Sequence, residues 1–486
     1  MTAAAGVVET HTATLFFTSD RVYKVKKHLD LGFVDFRSYA DRRQVCLDEV
    51  ALNRRLAPDV YLGVASVTDV EGQPCDSVVV MRRMPDDRRL SSLLSTAGSG
   101  VRHDLVRAVA RTVAAFHARC DTSPEIVELG SWSSVRGLWQ ENAEAVQRFA
   151  GRFLDPLLLN RVSRLANQYL RGREPLFRLR QERGLVRDGH GDLLCDDIYC
   201  LDDGPRILDC LEFDRRLRIG DVLADVAFLG MDLERLGHPD LAHTLFAEYG
   251  RFSGEHHPRS LQHFYVAYRA LVRSKVSCIR AEQMGTAGGP LAEAAVRLAG
   301  LAEQHLHAGR MRMVLVGGLP GTGKSSVAAG LADANPTWTL VRSDQIRKEM
   351  AGIDGSAAAP FGQGLYSAEQ RRHTYGELLE RARMCLEQGE NVLLDASGTQ
   401  QEQRDAAHRV AESTGAELQA LHCVVPELVQ LDRLARRRGD VSDADGAVAV
   451  AVAREADPWP EAVQLSTDAP LPDVVANAAA LLADDR

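Results

Sequence analysis

The residues best suited to chemistry stand together in Gly318-Leu319-Pro320-Gly321-Thr322-Gly323-Lys324-Ser325, with Ser326 directly after. They follow a short apolar run, Met313–Val316, and lead into an alanine-rich helical pattern, Val327–Ala334. This is G-x-x-x-x-G-K-[ST] set between a strand and a helix start. Glycines there let backbone N–H groups curl around phosphate oxygens, and the helix N-terminus adds partial positive charge. Lys324 is expected to reach the β- and γ-phosphates of a nucleoside triphosphate, and the Ser325 hydroxyl to ligate Mg²⁺.

A second set of reactive groups lies in Leu185–Leu229, where Asp and Glu crowd the loops between apolar strands. Carboxylates gathered this way point to metal binding or acid–base work, because they are costly to bring together without partners. Farther on, Asp344 and Arg347 follow one apolar run, and Asp395 ends another, NVLLD. Asp395 is the natural carboxylate for Mg²⁺ beside the glycine-rich loop, holding it directly or through water. Arg433 and Arg437, four apart, share one face of a helix.

These groups need elements to hold them. Residues 12–27 read as two strands joined at Thr18-Ser19-Asp20, and alternation along the second puts Lys24 and Lys26 on one face. Residues 39–57 read as an amphipathic helix carrying Glu49, with Val45, Val50, Leu52 and Leu56 available for its core face. Residues 77–81 add an apolar strand. A helical region runs from Leu90 to about Arg180, with His117 a structural histidine on its clearest segment, Asp104–Cys120. IYCL and RILDCLEF form a hairpin around Asp202-Asp203-Gly204. A glycine-rich break at 285–289 and a helix at Pro290–His307 mark a boundary. Beyond it, strands at Thr337–Val341, Asn391–Leu394, Glu417–Val425 and Ala462–Leu465 alternate with helices. That predicts an open parallel α/β sheet with ligands at the strand C-termini. Gly352–Gly364 reads as a loop able to close over substrate.

With 486 residues, the chain is too long for one ordinary core. A hydrophobic content of 45% and 26% charged residues describe a soluble globular protein. The formal charge of −9 argues against a main role in gripping nucleic acid. No apolar run nears the ~20 residues that span a bilayer, and no signal-peptide pattern opens the chain. Nine cysteines without paired spacing suit free thiols and a cytoplasmic setting.

Two resemblances sharpen this reading. His190-Gly191-Asp192, with Asp197 five residues later and Ile207-Leu208-Asp209 after it, resembles the aminoglycoside phosphotransferase and choline-kinase branch of the protein-kinase-like fold. The resemblance implies that Asp192 orients or deprotonates a substrate hydroxyl. It implies that Asp197 and Asp209 hold Mg²⁺, and that a strand lysine, Lys24 or Lys26, paired to Glu49 grips the ATP phosphates. Asp221 and Asp225 match the segment that buttresses the catalytic loop, and Met81–Met84 the hinge beside adenine. Asp197 stands where that family has Asn, and a glycine-rich loop between the first two strands is missing.

Asp344-x-x-Arg347, with Leu394-Asp395-Ala396-Ser397 and Arg404, resembles the small P-loop kinases of the gluconate-kinase and zeta-toxin type. This implies that Asp344 acts on the acceptor hydroxyl, that Arg347 holds the acceptor, and that lid arginines, Arg433 and Arg437, stabilise the transferring phosphoryl group. The whole resembles bacterial fusions of the two. The expected architecture is an α+β bilobal kinase-like domain (1–285), a helical linker (286–308) and an α/β P-loop domain (309–486). The expected activity is ATP- and Mg²⁺-dependent phosphoryl transfer to a hydroxyl of a small molecule, from two sites. The alternatives are a C-terminal kinase beside a silent binding module, and a nucleotide-hydrolysing switch. Neither membrane nor nucleic acid is expected as a partner, and the acceptor stays open.

Overall fold

A computed structural model describes residues 6–9, 13–28, 36–285, 289–351, 368–436 and 446–483. They form two compact units. The first comprises Met1–Asn160, Phe177–His257 and Tyr265–His305; the second comprises Arg161–Leu176, Pro258–Phe264 and Leu306–Arg486. The helix Pro290–Ala308 carries the chain from one set to the other.

The first unit begins with an antiparallel sheet. Its strands are β1 (Gly6–Glu9), β2 (Ala13–Phe17), β3 (Arg21–Lys26), β4 (Tyr61–Thr68) and β5 (Pro74–Arg82), in the order β1-β2-β3-β5-β4. β3 alternates as its sequence requires, but the face it buries carries Val22, Lys24 and Lys26. A central strand with two inward lysines needs buried anions opposite. The helix Tyr39–Asn53 supplies one. Ser38 caps it, its Oγ accepting the Asp41 N–H. Its buried stripe is Arg42, Cys46, Glu49, Val50 and Asn53, whereas Val45 and Leu52, expected in the core, are half-buried. The apolar pattern misplaces the stripe because Glu49 and Asn53 turn inward for electrostatic and hydrogen-bonding reasons.

The rest of the unit is mainly helical around short strand pairs. β6 (Val186–Asp188) pairs with β9 (Ile219–Asp221), and β7 (Ile198–Leu201) with β8 (Gly204–Ile207). The helix Val222–Arg235, buried over most of its length, backs them. Arg180 ties this region together from a buried position, giving a fork of hydrogen bonds to Asp221 and one of 2.6 Å to Glu255. Burial alone would raise the Glu255 carboxyl, but His257 and Arg180 together hold it at about 2.

The second unit is a parallel sheet. Its strands are β10 (Arg312–Gly317), β11 (Trp338–Arg342), β12 (Asn391–Asp395), β13 (Glu417–Val424) and β14 (Val463–Ser466), in the order β11-β12-β10-β13-β14. β10 and β12 are nearly continuous in buried apolar side chains, as expected of strands covered on both faces. Val314, Val316, Leu393, Leu421 and Leu465 meet Val327, Leu331, Val474 and Ala478 from the covering helices. Two distant segments complete this unit. Arg173, fully buried, donates to the Thr414 carbonyl at 2.8 Å, and Ser260 Oγ donates to the Gly389 carbonyl at 2.7 Å.

Replacing Arg180 with Met leaves Asp221 without its guanidinium and Glu255 with His257 alone, both still buried. Chemical denaturation of Arg180→Met is expected to show a loss on the order of 3–5 kcal/mol.

Candidate active sites

The first site is organised by Glu49. Its carboxylate lies 2.8 Å from Lys24 Nζ and 2.7 Å from Lys26 Nζ, with no exposure of the Glu49 side chain. Lys24 also donates to Asp209 at 2.7 Å, and Lys26 to Glu212 at 2.5 Å. The two lysines, equivalent by sequence, are thereby distinguished. Lys24 faces the carboxylate expected to carry Mg²⁺, whereas the Lys26 side chain has no exposure and faces Glu212. Burial would raise the Glu49 carboxyl, but Lys24 and Lys26 outweigh it and hold the group ionised below its ordinary range. Asp209 is lowered chiefly by Lys24.

Asp209 has φ 64°, and is the only non-glycine residue with positive φ among the described residues. An L-residue adopts that conformation only where its surroundings impose it. Here its N–H donates to the Tyr61 hydroxyl at 3.2 Å, the Cys210 N–H to Asn53 Oδ1 at 2.9 Å, and the Leu211 N–H to the His190 carbonyl at 3.0 Å. β8 stops at Ile207, so Leu208–Glu212 forms this anchored turn rather than the expected strand.

The loop His190-Gly191-Asp192 is held by charge from behind. Asp225 accepts the N–H groups of His190 and Gly191 at 2.6 and 2.8 Å. His117 stands 3.3 Å from the same carboxylate and 2.9 Å from the Tyr249 hydroxyl, so this structural histidine supports the loop's support. Burial opposes ionisation of Asp225, but His117 and Arg269 overcome it and hold the carboxyl well below its usual range. Arg55 donates to the carbonyls of Asp188 and Gly189, and Arg269 to that of Gly191. Asp221, read with Asp225 as a buttress, caps the following helix and binds Arg180 instead. His190 is pushed down to about 4 by burial. Its Nε2–H donates to the Leu208 carbonyl and Nδ1 accepts the Asp192 N–H, the pattern of a neutral ring.

Asp192 and Asp197 are half-buried. Burial lifts Asp192 to about 6, with Arg273 opposing and Asp209 assisting. Asp197 is raised further by burial, Asp209 and Asp192. Carboxylates that resist ionisation because they are buried and face one another suit a divalent cation, which would offset both effects. No group of three or more His, Cys, Asp or Glu side chains converges on a metal position among the described residues. The oxygen donors of Asp197 and Asp209 fit Mg²⁺ held by one or two carboxylates, with phosphate and water completing the shell.

The second site follows β10. Gly318, Gly321 and Gly323 have φ of 142°, 83° and 83°. A Cβ on Gly318 would come within 2.7 Å of the Cys423 carbonyl, so this loop admits glycine alone there. Gly323 precedes the helix Lys324–Ala334, whose first N–H groups receive no side-chain cap from it. Such a terminus is suited to phosphate. Thr467 Oγ1 donates to the Thr322 carbonyl at 2.7 Å, and Gln430 Nε2 to that of Pro320 at 2.6 Å. Arg433 donates to Thr467 Oγ1 and its carbonyl, so it stands against this loop. Arg437 and Gly352–Gly364 lie outside the described residues.

Ser325 Oγ donates to Asp395 Oδ1 at 3.1 Å, across the parallel pair β10–β12. That convergence fits Mg²⁺ at the serine hydroxyl with Asp395 beside it. The other Asp395 oxygen accepts from Arg342 Nε at 3.2 Å. Just past β11, Arg347 Nη1 donates to Asp344 Oδ1 at 2.7 Å. Tyr375 accepts the Gly398 N–H at 2.8 Å and meets Ser397 Oγ at 3.1 Å. Arg404 is a scaffold residue. It is buried, donates to the carbonyls of Gly398 and Pro458, and lies over Trp459. Sequence reasoning missed Glu212, Arg342, Tyr375 and Thr467. Only Arg342, next to Ser343-Asp344, carried a local signal.

The unfolded chain protonates histidine near 6.5, whereas folded His190 waits until about 4. Between those values the unfolded state binds more protons, so the His190 contribution is complete above 6.5 and lost as pH falls to 4, on the order of 3 kcal/mol. Asp192, raised, works in the opposite sense. Melting curves of wild type and His190→Gln from pH 7 to 4 should therefore differ in slope, with wild type falling more steeply.

Residues 313–458 match a family model described as an AAA domain. The choline/ethanolamine kinase family protein of Mesorhizobium loti is similar at 15% identity, covering 63% of this chain and 92% of that one, with a TM-score of 0.41. A sugar kinase from Janibacter is similar at 20% identity, covering 35% of this chain and 94% of that one, with a TM-score of 0.27. Over 467 residues, 96% of this chain and 92% of theirs, 38% identity links it to the uncharacterized proteins Mb2027c of Mycobacterium bovis and Rv2004c of Mycobacterium tuberculosis. At that identity over nearly its whole length, the chain belongs to the family of these mycobacterial proteins.

Proposed function

We propose that the chain is an ATP- and Mg²⁺-dependent phosphotransferase with two kinase-type sites, each moving the γ-phosphoryl of ATP to a hydroxyl of a small molecule. The observation that carries the reading is the Asp344–Arg347 pair just past β11, beside the Ser325–Asp395 contact on the neighbouring strand. A site that only hydrolysed nucleotide would need no acceptor-binding pair there.

In the second unit, Lys324 and the loop N–H groups bind the triphosphate, Arg347 orients the acceptor, and Asp344 accepts its hydroxyl proton. Arg433 adds positive charge at the loop. In the first unit, Lys24 holds phosphate once released from Asp209, and Asp192 Oδ takes the acceptor proton. The acceptor oxygen forms the new bond to phosphorus as the bond to the bridging oxygen breaks and ADP departs. Mg²⁺, when bound, neutralises charge on the phosphate oxygens. Lifted to about 6, Asp192 is a better proton acceptor than an ordinary aspartate yet still ionised at neutral pH.

One observation favours a second reading, in which the first unit only binds nucleotide. Asp197 stands where the aminoglycoside phosphotransferase branch, which this unit resembles, has Asn. The acceptor is read as a small molecule because the net charge of −9 opposes a phosphate backbone. No helix among the described residues is long and apolar enough to cross a membrane. All nine cysteines are free, which supports a reducing cytoplasmic setting.

The test is ADP release and acceptor mass gain across sugars, sugar acids, amino sugars, nucleosides and oligonucleotides. Lys324→Ala and Asp192→Asn are each expected to lose a different phosphorylated product, by roughly 10²-fold or more. A single product insensitive to Asp192→Asn selects the second reading; ADP with no acceptor gaining mass overturns transfer altogether.

A further inference from the structure

Glu49 offers one carboxylate oxygen to each lysine, and each lysine reaches on to a different carboxylate of the same short turn. The result is a continuous line of charge, Glu212–Lys26–Glu49–Lys24–Asp209. We propose that Lys26 and Glu212 are positioning residues for nucleotide and Mg²⁺ binding in the first unit. On this account their pair sets the orientation of Glu49, hence of Lys24, and fastens the turn that presents Asp209. The inference rests on the reading of this unit as a nucleotide site.

Geometry separates the two lysines by role. The Lys26 side chain has no exposure and its Nζ lies 5.9 Å from the Phe36 ring, so it has no path to a nucleotide. Its charge is spent inside the fold. The Glu49 carboxylate could satisfy Lys24 alone in more than one rotation; the ion pair of its second oxygen with Lys26 favours the one seen. Glu212 supplies the far anchor. Tyr61, Asn53 and His190 hold the backbone of Asp209, Cys210 and Leu211, and the Lys26–Glu212 pair holds the next residue through its side chain. The turn is thus clamped along its length while the Asp209 side chain, about half exposed, stays available. A buried ion pair is poor evidence for net stability, since two desolvated charges recover little more than they lose. Position is the better account of this one.

The experiment measures binding rather than turnover, in full-length protein carrying Lys324→Ala so that the second unit's nucleotide loop is disabled. Calorimetry gives the affinity for the non-hydrolysable analogue AMPPNP and the Mg²⁺ concentration for half-maximal binding; melting without nucleotide reports the fold. Lys24→Met is the reference and should weaken binding at least 100-fold. The isosteric Glu212→Gln should weaken it about tenfold and raise the Mg²⁺ requirement several-fold, with melting within a few degrees of the parent. Lys26→Met/Glu212→Leu leaves no unpaired charge of that pair but gives Glu49 one ammonium partner instead of two, so it should melt below Glu212→Gln and bind no more tightly than it. Affinity and Mg²⁺ requirement within twofold of the parent in Glu212→Gln and in the double variant would overturn the proposal and leave the pair structural. Binding untouched by Lys24→Met would instead overturn the underlying reading of the site.

Discussion

A single buried carboxylate governs the first unit. Glu49 has no exposure, and an ionised group there is tolerable only because two ammonium groups share it. That requirement turns the lysine face of β3 inward, puts a polar stripe on the buried side of the helix Tyr39–Asn53, and fixes where the Asp209–Glu212 turn can lie. The His190-Gly191-Asp192 loop is secured by the same physics, with Asp225 receiving two backbone N–H groups and a histidine behind it. Functional groups in this unit are therefore placed by charge pairs at long sequence separation more than by local propensity.

The second unit solves a similar problem with backbone. Its proposed phosphate site is made of N–H groups exposed by glycines in conformations other residues resist, at the end of a strand buried on both faces. Side chains then tune it. Thr467 and Gln430 hold the loop's carbonyls, Ser325 and Arg342 divide Asp395 between them, and Tyr375 fixes the turn at Gly398.

This contrast explains what could be read from sequence. The glycine-rich loop, Asp395 and the alternation of strands and helices around them are local patterns, and each has its counterpart in the structure within a residue or two. The hairpin before Lys24 and the helix bearing Glu49 were legible for the same reason. What escaped depends on partners far away in the chain. Alternation put Lys24 and Lys26 on one face but could not say which faced Asp209, because Glu212 decides that from 186 residues away. Helical periodicity offered Val45 and Leu52 for the core, since it weighs hydrophobicity and not the need of two lysines for an anion. β4 went unread because YLGVASVT is only partly buried, with no clean alternation.

The central claim is that one chain carries two nucleotide sites built on different physics. Calorimetric stoichiometry of Mg·AMPPNP on the purified full-length protein tests it most directly. The account predicts two bound per chain, falling to one in Lys324→Ala and to a different one in Lys24→Met. One per chain in the wild type, abolished by Lys324→Ala alone, would contradict it.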